Sequence, residues 1–109
     1  DDQFSCGGEN IYPKEVELLL VQHADVIDAV VIPIDHDVKG LVPAALITVH
    51  PASTLNESSI KEFALKHGAA YAHPRRVIIV DALPVGGTGK VDRPAALKFI
   101  KDAIALEGS

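Results

Sequence analysis

A glycine-rich stretch that ends in a lysine is the first feature of this sequence that could do chemistry. The letters GGTGK at 86–90 place three glycines within the four residues before Lys90. A phosphate-binding P-loop would need glycine where Pro84 stands and serine or threonine where Val91 stands, so that pattern fails at both ends. Two interpretations remain open: a solvated turn lysine, or a cation on a mobile loop that is delivered to an anionic site elsewhere.

A second candidate site is a basic and aromatic cluster just before a predicted strand. It consists of Tyr71, His73, Arg75 and Arg76. An aromatic ring that can stack, next to guanidinium groups, suits a nucleotide that carries phosphates. The same residue types also occur on ordinary surface loops whose charges are solvated. The residues by themselves leave both interpretations open.

Metal and triad chemistry find little support in the sequence. The chain has five histidines, but neither His23 nor His67, the two in predicted helices, has a His, Asp or Glu four residues earlier. His36 stands between Asp35 and Asp37, and three adjacent turn residues rarely converge on one ion. No Ser–His–Asp or Cys–His set stands out in sequence order. We therefore expect no metal site in this chain.

Composition and charge restrict the class of protein. A length of 109 residues predicts one domain, and a hydrophobic share of 48% without Trp or Met predicts a core of Val, Ile, Leu and Ala. The net charge of −5 argues against a nucleic-acid or anionic-membrane binder, since both need a broad basic face. No apolar run reaches the ~20 residues of a membrane span. The single cysteine, Cys6, cannot form an internal disulfide, so a reducing, cytoplasmic setting is the default expectation.

The elements that must position the candidate residues follow from hydrophobic periodicity and from turn and capping residues. Pro13 suits the start of a helix, and Asn56 and Asp92 can cap two others. The predicted order is a hairpin over 2–12, a helix over 13–23, a strand over 26–33, a polar turn over 35–40, a strand over 41–50, a helix over 57–67, a strand over 75–81, a loop over 82–91 and a last helix. This order predicts an α+β domain: a short, mostly antiparallel sheet flanked by helices and preceded by an N-terminal hairpin.

Two of these stretches together resemble a known family. The letters GGENIYPKEVE at 7–17 and LPVGGTGKVDR at 83–93 resemble the two ends of the C-terminal domain of the adenylate-forming enzymes. These are the acyl-CoA synthetases, the adenylation domains of peptide synthetases, and luciferases. The resemblance covers nearly the whole chain. It implies that residues 1–109 are the lid domain of a longer ligase whose N-terminal domain, absent here, binds ATP and a carboxylic acid.

The resemblance also implies roles for the glycine stretches. In the family an acyl-adenylate and pyrophosphate form first, the small domain rotates, and a thiol then attacks the adenylate. Lys90 matches the family lysine that reaches the acid carboxylate and the α-phosphate in the first step, and the neighbouring glycines would let its loop enter and leave that site. Gly7 and Gly8 match the loop that lines the pantetheine tunnel in the second step. Asp1 stands at the hinge position between the domains.

The region of the basic cluster corresponds to a variable part of the family. Tyr71, His73 and Arg75 lie where members that use CoA often contact its nucleotide. Two positions depart from the family pattern: Val85 stands where a basic or polar residue is frequent, and Leu41 where a polar or acidic residue is frequent. The second departure concerns recognition of the thiol.

The chain is therefore expected to be the C-terminal domain of an acyl-CoA synthetase. The full-length enzyme would use ATP, Mg²⁺ and CoA, and the domain alone would be catalytically inert. The expected partners are its own N-terminal domain, a carboxylic acid and the thiol, without nucleic acid. One alternative keeps the family but replaces CoA by the phosphopantetheine of a carrier protein. An alternative of another class is a stand-alone α+β binding or regulatory module.

Overall fold

The computed structural model describes residues 2–108, so the predicted hinge residue Asp1 lies outside the described part. It contains a five-stranded sheet with helices on both faces. The elements are β1 (Phe4–Cys6), β2 (Glu9–Ile11), α1 (Pro13–Val21), β3 (Val26–His36), β4 (Gly40–Val49), α2 (Glu57–His67), a 3₁₀ turn (Ala70–Ala72), β5 (Arg76–Ile79) and α3 (Arg93–Glu107). The predicted α+β class and the order of elements are confirmed.

The sheet is antiparallel except for its last strand. Its order is β2-β1-β4-β3, and β5 is joined to β4. β4 pairs with β3 along its length, meets β1 where Gly40 faces Cys6, and runs parallel to β5 over 44–47. A parallel neighbour needs a crossover connection, and α2 supplies it between β4 and β5. The prediction of a mostly antiparallel sheet with an N-terminal hairpin is confirmed.

The sheet has a hydrophobic core on each face. α1 and α2 pack on one face, where Leu20, Ile47 and Ile60 are buried. α3 packs on the other face, where Leu46 and Ile100 are buried. Alternating side chains of β4 point into these two cores, which explains why this strand is apolar without a polar face.

The polar turn between β3 and β4 is shorter than predicted. The sequence indicated that the strand ends at Pro33 and that a turn covers 35–40. In the structure β3 continues to His36, which pairs with Gly40 and leaves only 37–39 to the turn. Polar side chains do not end a strand here because the backbone forms the ladder while the side chains at its tip face solvent. The other predicted helix and strand boundaries agree within two residues.

Candidate functional site

The first glycine pair forms the tight loop between β1 and β2. Gly7 has a φ of 58° and Gly8 a φ of 91°, a backbone region that disfavours side chains. The N–H of Gly7 donates to the carbonyl of Lys39 at 3.2 Å, which docks the loop against the β3–β4 turn. A Cβ placed on Gly7 would lie 3.2 Å from Lys39 Nζ, whereas one placed on Gly8 would meet no atom within 4 Å. The space over Gly8 is therefore open.

The second glycine stretch forms a hydrogen-bonded turn within the loop that the sequence predicted over 82–91. Val85 and Val91 face each other in an antiparallel bridge. The N–H of Gly86 donates to the carbonyl of Lys90 at 2.8 Å, and the N–H of Gly89 donates to the carbonyl of Gly86 at 3.0 Å. The φ of Gly89 is 81°, which fits a tight turn followed by a left-handed residue. A specific backbone geometry thus explains one of the three glycines.

The side chain of Lys90 projects from the end of this turn. It is exposed, and within residues 2–108 it has no hydrogen bond or ion pair. The helix α3 begins shortly afterwards at Asp92, whose Oδ1 accepts the N–H of Ala95 at 3.0 Å. An ammonium group without a local carboxylate keeps its full charge available to an anion that arrives from outside the domain.

The two glycine loops meet the sheet in different places. The β1–β2 loop lies beside Gly40, the first residue of β4. The chain leaves the sheet toward Lys90 after Val80, whose N–H donates to the carbonyl of Ile47 at 2.9 Å. Gly40 and Ile47 are seven residues apart on one strand, which corresponds to about 23 Å. The two loops therefore meet the sheet at different points along β4.

The guanidinium of Arg75 is turned toward the domain. It donates through Nη1 to the carbonyls of Tyr71 and His73, and its Nη2 lies 3.8 Å from Cys6 Sγ. The backbone N–H of Arg75 donates to the carbonyl of Pro43 at 2.8 Å. These bonds hold the segment with Tyr71 and His73 against β1 and β4. Tyr71 itself keeps an exposed ring.

The imidazole of His73 is held close to two groups that need opposite tautomers. Its Nδ1 lies 2.5 Å from the carbonyl of Ala70 and 3.1 Å from Arg75 Nη1. The carbonyl can only accept, and Arg75 has other acceptors, so we assign the proton to Nδ1. Burial lowers the pKa of His73; the bond to Ala70 opposes this, and the charges of Arg75 and Lys61 lower it further. The net shift is downward, which favours a neutral ring at pH 7.

Arg76 is paired with two carboxylates from other elements. Its Nε lies 2.9 Å from Glu57 of α2, and its Nη2 binds Glu107 of α3. Hydrogen bonds from Arg76 to Glu107 and to Glu57 raise the pKa of the guanidinium above its ordinary value. The structure thus brings the side chains of His73 and Arg75 together, and it uses both arginines of the predicted cluster for contacts within the domain. The assignment of Tyr71, His73 and Arg75 to a nucleotide stays a prediction.

The Glu57 carboxylate makes stability of the domain sensitive to acid. Its Oε2 accepts the N–H of Val77 at 2.7 Å and Arg76 Nε at 2.9 Å. Burial raises the pKa of Glu57, but the bonds from Arg76 and Val77 and the charges of Arg76 and Lys61 outweigh it, so the pKa lies below 4.5. A carboxyl whose folded pKa is depressed stabilises the fold above its unfolded pKa, and this contribution is lost as pH falls through the folded pKa.

We expect Glu57→Gln to reduce the melting temperature at neutral pH and to have less effect in acid. The difference from the wild type should be largest above the ordinary carboxyl pKa of 4.5 and should shrink steadily below it, because protonation removes the same charge from the wild type. Thermal melts of both proteins from about pH 7 to about pH 3 measure this difference. A difference that stays constant across that range would contradict the assignment.

The last residues of the two sequence motifs contact each other, although they lie far apart in the sequence. Arg93 donates through Nη2 to Glu17 Oε2 at 3.0 Å and through Nη1 to the carbonyl of Val31 at 3.0 Å. The same Glu17 oxygen accepts the N–H of Val31 at 2.8 Å. The pair therefore covers polar groups at the outer edge of β3. Arg93 Nε also lies 3.9 Å from Asp2 Oδ2. In the sequence, the only feature that could have suggested this contact is the opposite charge of the two residues that end the motifs.

The described residues offer no ligand set for a metal ion. Within residues 2–108, no three His, Cys, Asp or Glu side chains could hold one together. These residues therefore form no metal centre made of three or more such side chains. His23 illustrates the local roles of the histidines, since its Nδ1 accepts the N–H of Asp25 at 3.0 Å. In the same range, no helix combines the length and apolar character needed to cross a membrane.

Comparison with known proteins gives consistent matches over most of the chain. Residues 15–90 match the family model described as AMP-binding enzyme C-terminal domain. The chain is 39% identical over 93 residues to 3-[(3aS,4S,7aS)-7a-methyl-1,5-dioxo-octahydro-1H-inden-4-yl]propanoyl:CoA ligase from Mycobacterium tuberculosis, covering 85% of this chain and 18% of that protein. It is 35% identical over 99 residues to 2-succinylbenzoate–CoA ligase from Geobacillus kaustophilus, covering 91% of this chain and 20% of that protein.

A solved structure supports the same fold. Apo MatB from Rhodopseudomonas palustris superposes with a TM-score of 0.86 and 29% sequence identity, covering 94% of this chain and 21% of that one. The chain thus spans about a fifth of the length of each of these proteins.

Proposed function

The chain belongs to the AMP-binding enzyme C-terminal domain family, and we propose that it is the mobile lid domain of an acyl-CoA synthetase. This enzyme would join a carboxylic acid to the thiol of CoA at the expense of ATP. The observation that carries the proposal is the family match over residues 15–90, which includes Lys90. The sequence identity of the chain to two proteins named as CoA ligases supports the more specific proposal of an acid–thiol ligase. A cytoplasmic setting, based on the single Cys6, is part of the proposal.

In the proposed first step, Lys90 acts on the acid carboxylate and the α-phosphate of ATP. Negative charge accumulates there as the acyl-adenylate forms, and a positioned ammonium group stabilises it without reorganisation of solvent. Support comes from the exposure of Lys90, from its lack of a partner within residues 2–108, and from the 2.8 Å bond between its carbonyl and Gly86 that closes the turn. Loss of one such group costs about 3–4 kcal/mol in comparable sites.

In the proposed second step, the β1–β2 loop admits the pantetheine arm that carries the thiol. Gly8 has no atom within 4 Å of the position that a side chain would take. An arm could therefore pass over its backbone, whereas a larger residue would fill that space. The Lys90 turn and this loop meet the sheet at different points, so a rotation of the domain between the steps would present them in succession. No step is assigned to Mg²⁺ through this chain, since its described residues offer no ligand set.

The phosphopantetheine arm of a carrier protein is the second candidate acceptor. The observation that favours it is the engagement of Arg75 and Arg76 in contacts within the domain. Free CoA has phosphates that would be expected to use such cations, whereas a carrier-bound arm relies on contacts between the two proteins. Comparison of thioester formation with free CoA and with a phosphopantetheinylated carrier decides between the two acceptors.

The proposal is tested with the full-length protein and with this domain alone. We expect the full-length protein, given ATP, CoA and a panel of carboxylic acids, to release pyrophosphate and AMP and to form a thioester with one class of acid. The 109-residue chain should release no pyrophosphate, because the proposed ATP and acid pockets lie in another domain. Pyrophosphate release by this chain alone would overturn the proposal. An open reading frame that starts near Asp1 would favour a stand-alone module.

A further inference from the structure

The Glu17–Arg93 pair, together with the Val31 peptide groups that it binds, forms a contact that we name the motif clamp. We propose that the motif clamp positions Lys90 for adenylation, an inference that rests on the function proposed above. The clamp joins α1, the outer edge of β3 and the first residue of α3. Its partners lie 76 and 62 positions apart in the sequence, so it connects parts of the domain that the chain itself does not.

The Lys90 turn needs such an anchor because its own bonds fix its shape but not its direction. Besides the bond between Gly86 and Lys90, the N–H of Asp92 donates to the carbonyl of Pro84 at 2.9 Å. All of these bonds join residues of the turn to one another. The turn projects from the domain, since Val85 is 62% exposed and Lys90 is also exposed. The direction of the turn is therefore set by the two places where its ends enter the fold.

The two ends of the turn are held by different means. Before the turn, Leu83 packs against the core beneath α3. After it, Arg93 follows Lys90 by three residues, and its guanidinium reaches Glu17 and Val31 at 3.0 Å each. An apolar contact tolerates small rotations, whereas hydrogen bonds from a planar group to two acceptors restrict both distance and angle. The clamp is thus the more precise of the two anchors.

The residue types in the clamp suit a rigid contact. The guanidinium of Arg93 presents a fixed fork of donors, so it can bind the carboxylate of Glu17 and the carbonyl of Val31 simultaneously, whereas a lysine donates from a single point. The side chain of Glu17 is 17% exposed, and that of Arg93 is 31% exposed. Limited contact with water reduces the screening of the pair. Arg93→Lys should therefore keep the charge but lose part of the geometry.

Displacement of the Lys90 ammonium should slow adenylation specifically. Rates of reactions between positioned groups can fall about a hundredfold when one group is misplaced by about 1 Å. Thioester formation uses the other loop, next to Gly40, and should not depend on the clamp. The residues of the clamp are positioning residues, since they act through Lys90 and not on the substrate.

The chain offers a matched control for a test of the clamp. Glu17 accepts one backbone N–H and one arginine, and Glu57 does the same with Val77 and Arg76 on other elements. In the full-length enzyme, Glu17→Gln should slow pyrophosphate release about tenfold and leave thioester formation from supplied acyl-adenylate unchanged. Glu57→Gln should leave both rates unchanged. Melting temperatures of both variants show how much stability each has lost.

Substitutions of Arg93 and amide exchange supply a second measurement. Arg93→Gln should slow pyrophosphate release at least as much as Glu17→Gln, and Arg93→Lys should recover part of the rate. Hydrogen exchange of the amides of Gly86 and Asp92 should be faster in Arg93→Gln than in Glu57→Gln. The inference is overturned if the Glu17 and Glu57 variants release pyrophosphate equally fast, or if both half-reactions fall together.

Failure of the inference can be distinguished from failure of the proposed function. If the wild-type enzyme releases no pyrophosphate, or if loss of the Lys90 ammonium does not slow it, the proposed function fails and the role of the clamp in adenylation fails with it. If loss of that ammonium slows adenylation while Glu17→Gln behaves like Glu57→Gln, the inference alone fails.

Discussion

Lys90→Ala in the full-length enzyme should slow acyl-adenylate formation by about a hundredfold or more and leave thioester formation from supplied acyl-adenylate largely intact. The substitution removes the proposed cation at the transferring group. The lost side chain is exposed and has no hydrogen bond or ion pair within residues 2–108, so the fold should be little affected. Pyrophosphate release and thioester formation, measured separately, give the two rates.

A second lysine provides the control for this substitution. Lys98 is exposed on α3. Within residues 2–108 its only ion pair is with Asp102, at 2.7 Å. Lys98→Ala removes the same charge from the same part of the chain and should leave both rates near those of the wild type, since an exposed pair contributes little. An equal loss of both half-reactions in Lys90→Ala would contradict the role assigned to Lys90.

Gly8→Leu should have the opposite effect, slowing thioester formation by about a hundredfold while adenylation continues. The leucine would occupy the open space over the β1–β2 loop, through which we propose that the pantetheine arm passes. The Lys90 turn meets the sheet at a different point and should keep its geometry. Thioester formation from supplied acyl-adenylate and pyrophosphate release again report the two steps.

Gly8→Ala separates obstruction from backbone strain. The φ of 91° at Gly8 is unfavourable for any residue with a Cβ, so alanine and leucine share this cost. Only leucine adds enough volume to block an arm. If alanine slows thioester formation as much as leucine does, the loss comes from strain and the proposed tunnel lining is wrong.

Local features of the fold were predictable because they depend on neighbouring residues. Pro13 begins α1, Asn56 caps α2 with a bond from Ser59 N–H at 2.9 Å, and Asp92 caps α3. The extension of β3 beyond Pro33 was missed because cross-strand pairing, and not side-chain polarity, determines where that strand ends. The direction of β5 likewise depends on tertiary structure: it runs parallel to β4 because α2 carries the chain back across the sheet.

Candidate site residues were recognisable as residue types, but their environments were not. Lys90 was predicted to lie on a loop, and the backbone bonds that close this loop into a turn could not be read from the residue types. Arg75 and Arg76 looked like free cations because the sequence does not reveal acceptors from other elements. In the fold Arg76 binds Glu57 and Glu107, which lie 19 and 31 positions away.

The sequence by itself determined the element order, the α+β class and the two glycine motifs, because periodicity, caps and tight turns act over a few neighbouring residues. Only the tertiary structure decided which motif residues meet. Glu17 and Arg93 end the two motifs with opposite charges, but the sequence does not specify that they meet. They lie 3.0 Å apart because α1 and α3 converge on the outer edge of β3. Such contacts depend on the packing of helices against the sheet, which the spacing of residues along the chain does not specify.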